Sequence, residues 1–235
     1  MRATCDHVVA VSHRVKQVVC EGLPTTVIYN GIDQARLAQS QPREAMRSRF
    51  GFGQGDFVLG YLGRFSPEKR PELLIRAVSE LPSHYKLLLV GGGRDQAILR
   101  DLANDLIPGR YAFTSASSYL GDYYRAMDAF GLVSDQEGFS LALLEAMMCE
   151  LPVVVTPVGS VPEMIEDRVN GVIVQPHPAS IAEGVRRLAE HPAWARGVAA
   201  EGHRFAMQHG HAKRMARDYE ALLARLWDEK YSTRA

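Results

Sequence analysis

Residues 134–159 read SDQEGFSLALLEAMMCELPVVVTPVG. The apolar run AFGLV precedes them. They open with a polar loop containing one glycine, pass into LALLEAMM, which is built of helix formers, and end in the β-branched run PVVVT. The pattern is strand, loop, helix, strand. Ser140 sits where an N-cap is expected, so the amides of Phe139, Ser140 and Leu141 come at the positive end of a helix, where an anion such as phosphate binds. Glu145 follows Leu141 by four residues, about one turn or roughly 5.4 Å further along the same face, placed to hold a sugar diol beside that phosphate. Glu137, separated from Phe139 by Gly138, stands before the helix at the mouth of the loop.

The same alternation extends on both sides. FVLGYLG is followed by PELLIRAVSEL, YKLLLVGG by RDQAILRDLANDL, RYAFT by SYLGDYYRAM, AFGLVS by LALLEAMM, PVVVT by VPEMIE, and GVIV by SIAEGVRRLAE. Short β-rich runs alternating with helical periods imply right-handed crossovers and an α/β fold, a doubly wound parallel, Rossmann-like sheet of six strands. Ligands of such sheets bind beyond the carboxyl ends of the strands. Nearer the N-terminus, HVVAV at 7–11, a helix capped by Ser12, and TTVIY at 25–29 form an isolated βαβ unit, and the next sixteen residues, NGIDQARLAQSQPREA, read as polar linker. Residues 194–231 read as two helices, the second with Met215, Tyr219, Leu222, Leu223, Leu226 and Trp227 on an apolar packing side.

Composition narrows the function classes. The chain has 235 residues, 46% of them apolar, enough for one full α/β domain and part of another. Lys plus Arg equals Asp plus Glu at 27 each, with no basic tract for nucleic acid and no acidic tail. Three cysteines, Cys5, Cys20 and Cys149, lack ligand spacing, so neither a disulfide framework nor a zinc site is expected. The eight histidines are scattered, and no metal site is expected from them. No run of about 18 apolar residues occurs. A cytoplasmic location is expected, compatible with peripheral contact at the inner face of a membrane.

Two cations stand out. In GRFSPEKRP, Arg64 and Lys69 leave the carboxyl end of a strand in a loop bounded by glycine and proline, where a planar fork and a mobile point charge can neutralise a diphosphate. The triplet GGG at 91–93 permits a tight turn, but it is neither GxGxxG nor GxxxxGK, which removes the main support for nicotinamide and NTPase chemistry. Ser12, Ser134 and Ser140 lack a nucleophile-elbow context, so a hydrolase triad is not supported.

The run EGFSLALLE, with two glutamates and seven residues between them, followed by AMMCELPVVVTPVGSVPEMI and NGVIV, resembles the nucleotide-sugar half of retaining glycosyltransferases of the group 1 family (family 4), which have the GT-B fold. The resemblance runs from HVVAVS to the last helix. It implies that the chain is the C-terminal half of a GT-B fold, with residues 1–45 a remnant of the N-terminal domain plus hinge, 46–208 the donor-binding domain, and 209–235 a helix packing back on the N-terminal domain. It also implies that Arg64 and Lys69 bind the donor's phosphates, with Lys69 preferred over Arg70 by family position. The helix amides, Gly138 through Leu141, would share that charge; Glu145 would hold the ribose, Glu137 the transferred hexose, and Ser115 and Ala116 in FTSASS the nucleobase. The donor implied is a UDP or GDP sugar acting as substrate, with no cofactor and no metal. The acceptor implied is a glycan, a lipid or a small molecule, and anomeric configuration is retained.

Two departures accompany the resemblance. The family's N-terminal domain supplies the acceptor site, a glycine-rich loop and often a histidine, and none has a counterpart here, so the cleft is expected to have one wall and to need the missing domain or a partner chain. Glu150 stands where the family has glycine after the helix, so a left-handed cap there would cost about 1 kcal/mol and could shift the helix end. Two functions follow: the donor-binding part of a glycosyltransferase, inactive without its other domain, or a noncatalytic nucleotide-sugar-binding or scaffold subunit. The intact glutamate pair with Arg64 and Lys69 favours the first.

Overall fold

The computed structural model describes residues 5–117 and 119–231. Parts of the expected first domain, of the helix expected from Ser118 and of the last helix lie outside the described residues. The chain begins with β1 (Val8–Ala10), α1 (His13–Val19) and β2 (Thr25–Val27), then a 3-10 turn at Gln34–Leu37 and α2 (Arg43–Arg49). Alternation follows with β3 (Phe57–Arg64), α3 (Pro71–Ser79), β4 (Tyr85–Gly92), α4 (Gln96–Leu106), β5 (Tyr111–Thr114) and α5 (Leu120–Ala126). It continues through β6 (Ala129–Leu132), α6 (Leu141–Met148), β7 (Val153–Val155), α7 (Val161–Met164), β8 (Val172–Ile173) and α8 (Pro178–Glu190), and closes with α9 (Pro192–His209) and α10 (Ala212–Tyr231).

The six later strands form one parallel sheet in the order β5-β4-β3-β6-β7-β8, so the chain winds one way from β3 and the other way from β6. Alternate side chains of these strands enter two different apolar layers. Leu88, Val90, Phe130, Val153 and Val155 pack with helices α5, α6 and α9, whereas Leu87, Leu89, Ala129 and Val154 pack with α3, α4 and α8. A strand covered on both faces has no polar side to show, which is why the runs LLLV and VVV are continuous rather than alternating. Where β3 and β4 end side by side, Gly91 (φ 141) lies so near β3 that a Cβ would come within 1.9 Å of the Gly63 carbonyl oxygen, which excludes any side chain there.

Helix α6 ends at Met148, the end expected from the sequence, despite Glu150. That residue adopts the left-handed conformation (φ 55), its amide bonds to Met147 O at 3.1 Å, and the Leu151 amide bonds to Ala146 O at 3.1 Å. This is the Schellman closure that glycine ordinarily provides.

The linker expected over residues 30–45 is not loose. Asp122 of α5 accepts from the Ser40 amide and hydroxyl, each at 2.6 Å, and from the Gln41 amide at 3.0 Å. Helix α2 follows, and its Arg43 and Arg47 reach Asp128 at 2.5 and 3.0 Å. Asp128 Oδ2 also accepts the Val58 amide at 2.7 Å, which pins the start of β3. The polar residues that read as linker have partners some eighty positions away, and local sequence carries no sign of them.

Strands β1 and β2 form a separate two-stranded parallel sheet, the expected βαβ unit. Helix α10 lies against it: Arg214 donates to Tyr29 O at 2.7 Å, Arg225 to Thr26 at 3.3 Å, and Lys230 to Asp6 at 2.8 Å. The apolar side expected on this helix divides. Leu222 is buried, whereas Tyr219, Leu223 and Trp227 are 37%, 63% and 65% exposed, because they occupy a second i, i+4 row that the body does not meet. Among the described residues no helix is long and apolar enough to cross a membrane.

Arg47 is nearly buried, so removing its partner leaves an uncompensated charge. Asp128→Ala is expected to lower the unfolding free energy by about 3 kcal/mol, whereas Arg43→Ala should cost about 1 kcal/mol or less. Urea midpoints read both; an unchanged midpoint for Asp128→Ala would contradict this account.

Candidate functional site

The winding reverses between β3 and β6, and the loops beyond their carboxyl ends flank a crevice at that switch point. Strand β3 delivers Arg64 and then a 3-10 turn at Pro67–Lys69; strand β6 delivers residues 133–140 and the start of α6. The two loops are tied by the Asp135 amide, which donates to Glu68 O at 2.9 Å. Between them opens a cleft of about 660 Å³ lined by Arg64, Lys69, Glu137 and Gly138 among others.

Glu137 is the best-anchored of these residues. Its side chain is 4% exposed, and Oε1 accepts from Lys69 Nζ at 2.8 Å and from Ser134 Oγ at 2.7 Å. The loop after β7 closes on the same residue: Gly159 (φ 56) comes so near that a Cβ would stand 1.6 Å from the Glu137 carbonyl oxygen. Lys69 is thus matched to a carboxylate, whereas Arg64 is 78% exposed along its side chain and only 3.9 Å from Glu68. Arg70, the alternative to Lys69, is left-handed (φ 51) and pairs with Glu72 at 2.9 Å and Asp135 at 3.1 Å, and it does not line the cleft.

Ser140 caps α6 as its type and position imply, with extended backbone (φ −87, ψ 105) and Oγ accepting from the Leu143 amide at 3.3 Å. The amides of Gly138, Phe139, Ser140, Leu141 and Ala142 donate to no protein acceptor among the described residues. Consecutive free N–H groups at a helix start constitute an anion site by both hydrogen bonding and dipole.

Glu145 lies inward, between α6 and α5, only 3% exposed. Its Oε2 accepts from the Tyr124 hydroxyl at 2.8 Å, and Oε1 takes no protein donor among the described residues. Burial outweighs that hydrogen bond and raises the carboxyl above its ordinary value. Ser115 and Ala116 are exposed beyond β5, three strand spacings or about 14 Å from β6, and Ser115 O accepts from Tyr123 at 3.0 Å. The structure therefore gathers Arg64, Lys69, Glu137 and Gly138 in one cleft, whereas Phe139, Ser140, Leu141, Glu145, Ser115 and Ala116 are not among its lining residues. Among the described residues no group of three or more His, Cys, Asp or Glu is placed to hold a metal ion.

The expectation of a one-walled cleft is corrected. Arg14, Val15, Val18 and Val19 of α1 line its other side, with Val18 and Val19 more than half exposed. Helix α1 is held there by Glu163 of α7, whose carboxylate accepts the amides of His13 and Arg14 at 3.0 and 2.9 Å and the Tyr29 hydroxyl at 2.7 Å. Burial would raise the Glu163 carboxyl, but these donors outweigh it and hold the group below its ordinary value. Nothing in the spacing of the valines at 15, 18 and 19 places them over a cleft whose other lining residues lie between Arg64 and Gly159.

The family model for glycosyl transferases group 1 matches residues 42–203 of the chain. The chain belongs to that family. Among curated relatives, D-inositol 3-phosphate glycosyltransferase of Mycobacteroides abscessus is 35% identical over 159 residues, 64% of this chain and 35% of that one. The enzyme of the same name from Actinosynnema mirum is 32% identical over 214 residues, 84% of this chain and 50% of its own length. The group 1 chain thus spans a third to a half of the length of these relatives. Among solved structures, Anabaena HepE in complex with UDP-glucose matches 94% of this chain and 64% of its own at a TM-score of 0.86 and 25% identity. Sucrose-phosphate synthase from Thermosynechococcus elongatus matches 96% of this chain and 59% of its own at a TM-score of 0.84 and 26% identity. The Rossmann-like sheet of this group 1 chain is the one found in these GT-B neighbours.

Glu163 gives the site a pH dependence of definite sign. A carboxyl depressed by folding contributes fully above its unfolded value, about 4.3, and loses that contribution as pH falls through the folded value. Thermal midpoints of the wild type and Glu163→Gln are expected to differ most near neutrality and to converge below about pH 4. A gap that persists undiminished to pH 3 would show that the carboxylate is not the anchor of α1.

Proposed function

We propose that the chain is the donor-binding part of a retaining, metal-independent glycosyltransferase that moves a hexose from a UDP or GDP sugar to a glycan, lipid or small-molecule acceptor. The observation that carries this reading is the meeting, at one switch-point cleft, of Arg64 and Lys69 from one loop with Glu137 and Gly138 from the other, Gly138 being the first of five consecutive residues with free amides. Membership of the group 1 family and the likeness to HepE, whose crystal structure holds UDP-glucose, support it.

The chemistry follows from charge. As a glycosidic bond to a nucleotide lengthens, negative charge gathers on the diphosphate and positive charge on the sugar. Fixed amides at the start of α6, with Arg64, offset the first without reorganising. Lys69 starts paired with Glu137, so a phosphate approaching Lys69 shares it with the carboxylate and leaves Glu137 able to take a hexose hydroxyl. Glu145, with one oxygen on Tyr124, is assigned the ribose through the other, and Ser115 and Ala116, exposed beyond β5, are assigned the nucleobase. No metal and no cofactor are called for, and attack comes from the same face as departure. In this reading residues 1–45 belong with the acceptor-side domain, 46–208 with the donor domain, and 209–235 cross between them, and another domain or chain completes the acceptor side. The reaction takes place in the cytoplasm or at the inner membrane face.

Titration calorimetry with UDP, GDP and ADP tests the premise. One of the three is expected to bind, with Arg64→Ala weakening it about tenfold and Arg70→Ala leaving it within about twofold. Equal affinity in wild type and Arg64→Ala, or binding of none of the three, would overturn the site assignment.

A further inference from the structure

The free amides from Gly138 to Leu141 hold an anion well only if they already point at it, since amides that must turn toward the charge lose part of what they gain. Their own domain braces them on one side, where the Glu137 carbonyl abuts Gly159 and Ser140 caps α6. On the other side they meet the βαβ unit. Gly138 faces Val15 and Val11, which a Cβ would meet at 3.8 and 3.9 Å, and the Phe139 ring lies 5.7 Å from the ring of Tyr29, tilted by 36°.

Tyr29, two residues after β2, is fixed at both ends. Its hydroxyl donates to Glu163 Oε2 at 2.7 Å, and its carbonyl accepts from Arg214 at 2.7 Å. Burial first, and the Glu163 carboxylate after it, push the phenol up to about 12, so it remains a donor at neutral pH. Its ring also meets His13 edge-on, with centroids 6.2 Å apart. The hollow left between Tyr29, Phe139, Leu144, Glu163, Phe205 and His209 is only about 10 Å³, room for no more than one water. A shift of the Tyr29 ring therefore displaces Phe139 rather than solvent. Tyr29 is not among the residues lining the donor cleft, so its effect on an anion there passes through Phe139.

We propose that Tyr29 is a positioning residue for the diphosphate site: it touches no ligand, and its ring, wedged behind Phe139, aims the amides of Gly138 to Leu141. This rests on the donor-binding reading above. Tyr29 lies outside residues 42–203, which the family model matches, so a residue of the βαβ unit sets the aim of an anion site in the matched domain. The Tyr29 hydroxyl and the first amides of α1 share Glu163, so the seating of that unit and the affinity for diphosphate are linked, each raising the other.

The probe is inorganic pyrophosphate, which carries the charge without a base, titrated into the full chain by calorimetry and by residue-resolved NMR. In the wild type it is expected to shift the amides of Gly138 to Leu141 and, with them, the ring protons of Tyr29. Tyr29→Ala should weaken binding about tenfold, whereas Tyr29→Phe, which keeps the ring, should stay within about twofold. Phe139→Ala should also weaken it, and adding Tyr29→Ala to that variant should weaken it no further, the mark of a residue acting through its neighbour. Losses that multiply in the double variant are those of general loosening and would overturn the proposal, as would Tyr29 ring signals that stay still. The ring signals need no variant, so they decide even if Tyr29→Ala does not fold. If pyrophosphate leaves the amides of Gly138 to Leu141 unmoved in the wild type, the donor-binding reading falls and this proposal with it. If it moves them and binds wild type and Tyr29→Ala alike, only the positioning role falls.

Discussion

A buried carboxylate holds the loops of three parallel strands in register. Glu137 receives Lys69 from the loop after β3 and Ser134 from its own loop after β6, and its carbonyl bears directly on Gly159 from the loop after β7. The side chain is only 4% exposed, and the donors that meet it come from places that only the assembled sheet brings together. The shape of the cleft follows from this arrangement. Without the lysine the carboxylate would be left buried and short of a donor; without the glycine the third loop could not approach.

A second carboxylate performs the corresponding task between the two sheets. Glu163, at the start of the short α7, spends its oxygens on the first amides of α1 and on Tyr29, so that a small βαβ unit with little core of its own is seated against the larger domain. Helix α1 buries no residue completely, and its stability here is tertiary. The result is a cleft with two sides, one carrying Arg64, Lys69 and Gly138 and the other carrying Arg14 and three valines. Helix α10 reinforces the same junction from outside through Arg214, Arg225 and Lys230.

Much of this was legible in the residues alone. Continuous apolar runs between helical periods implied a parallel sheet covered on both faces, and six strands with their crossovers followed from the spacing. Ser140 announced its cap, and Arg64 and Lys69 announced a cationic loop at a strand end. These readings succeed because they depend on side-chain periodicity and on backbone groups within a few residues of one another. Glu150 shows the limit of such reasoning: its left-handed turn is unfavourable locally, yet the helix closes on schedule because two hydrogen bonds to Ala146 and Met147 hold it.

What the sequence by itself determined was the class of fold, the order of its elements and the chemical types gathered at the carboxyl end of the sheet. Only the tertiary structure decided that the polar stretch before α2 is pinned by Asp122 and Asp128, that Glu145 turns inward to Tyr124, and that α1 forms a wall of the cleft. Each of these depends on charged or polar groups meeting partners roughly twenty to a hundred and fifty positions away. Pairings of that range leave no periodic trace, since a carboxylate bound for a buried arginine or a helix start is written with the same letter as one bound for water.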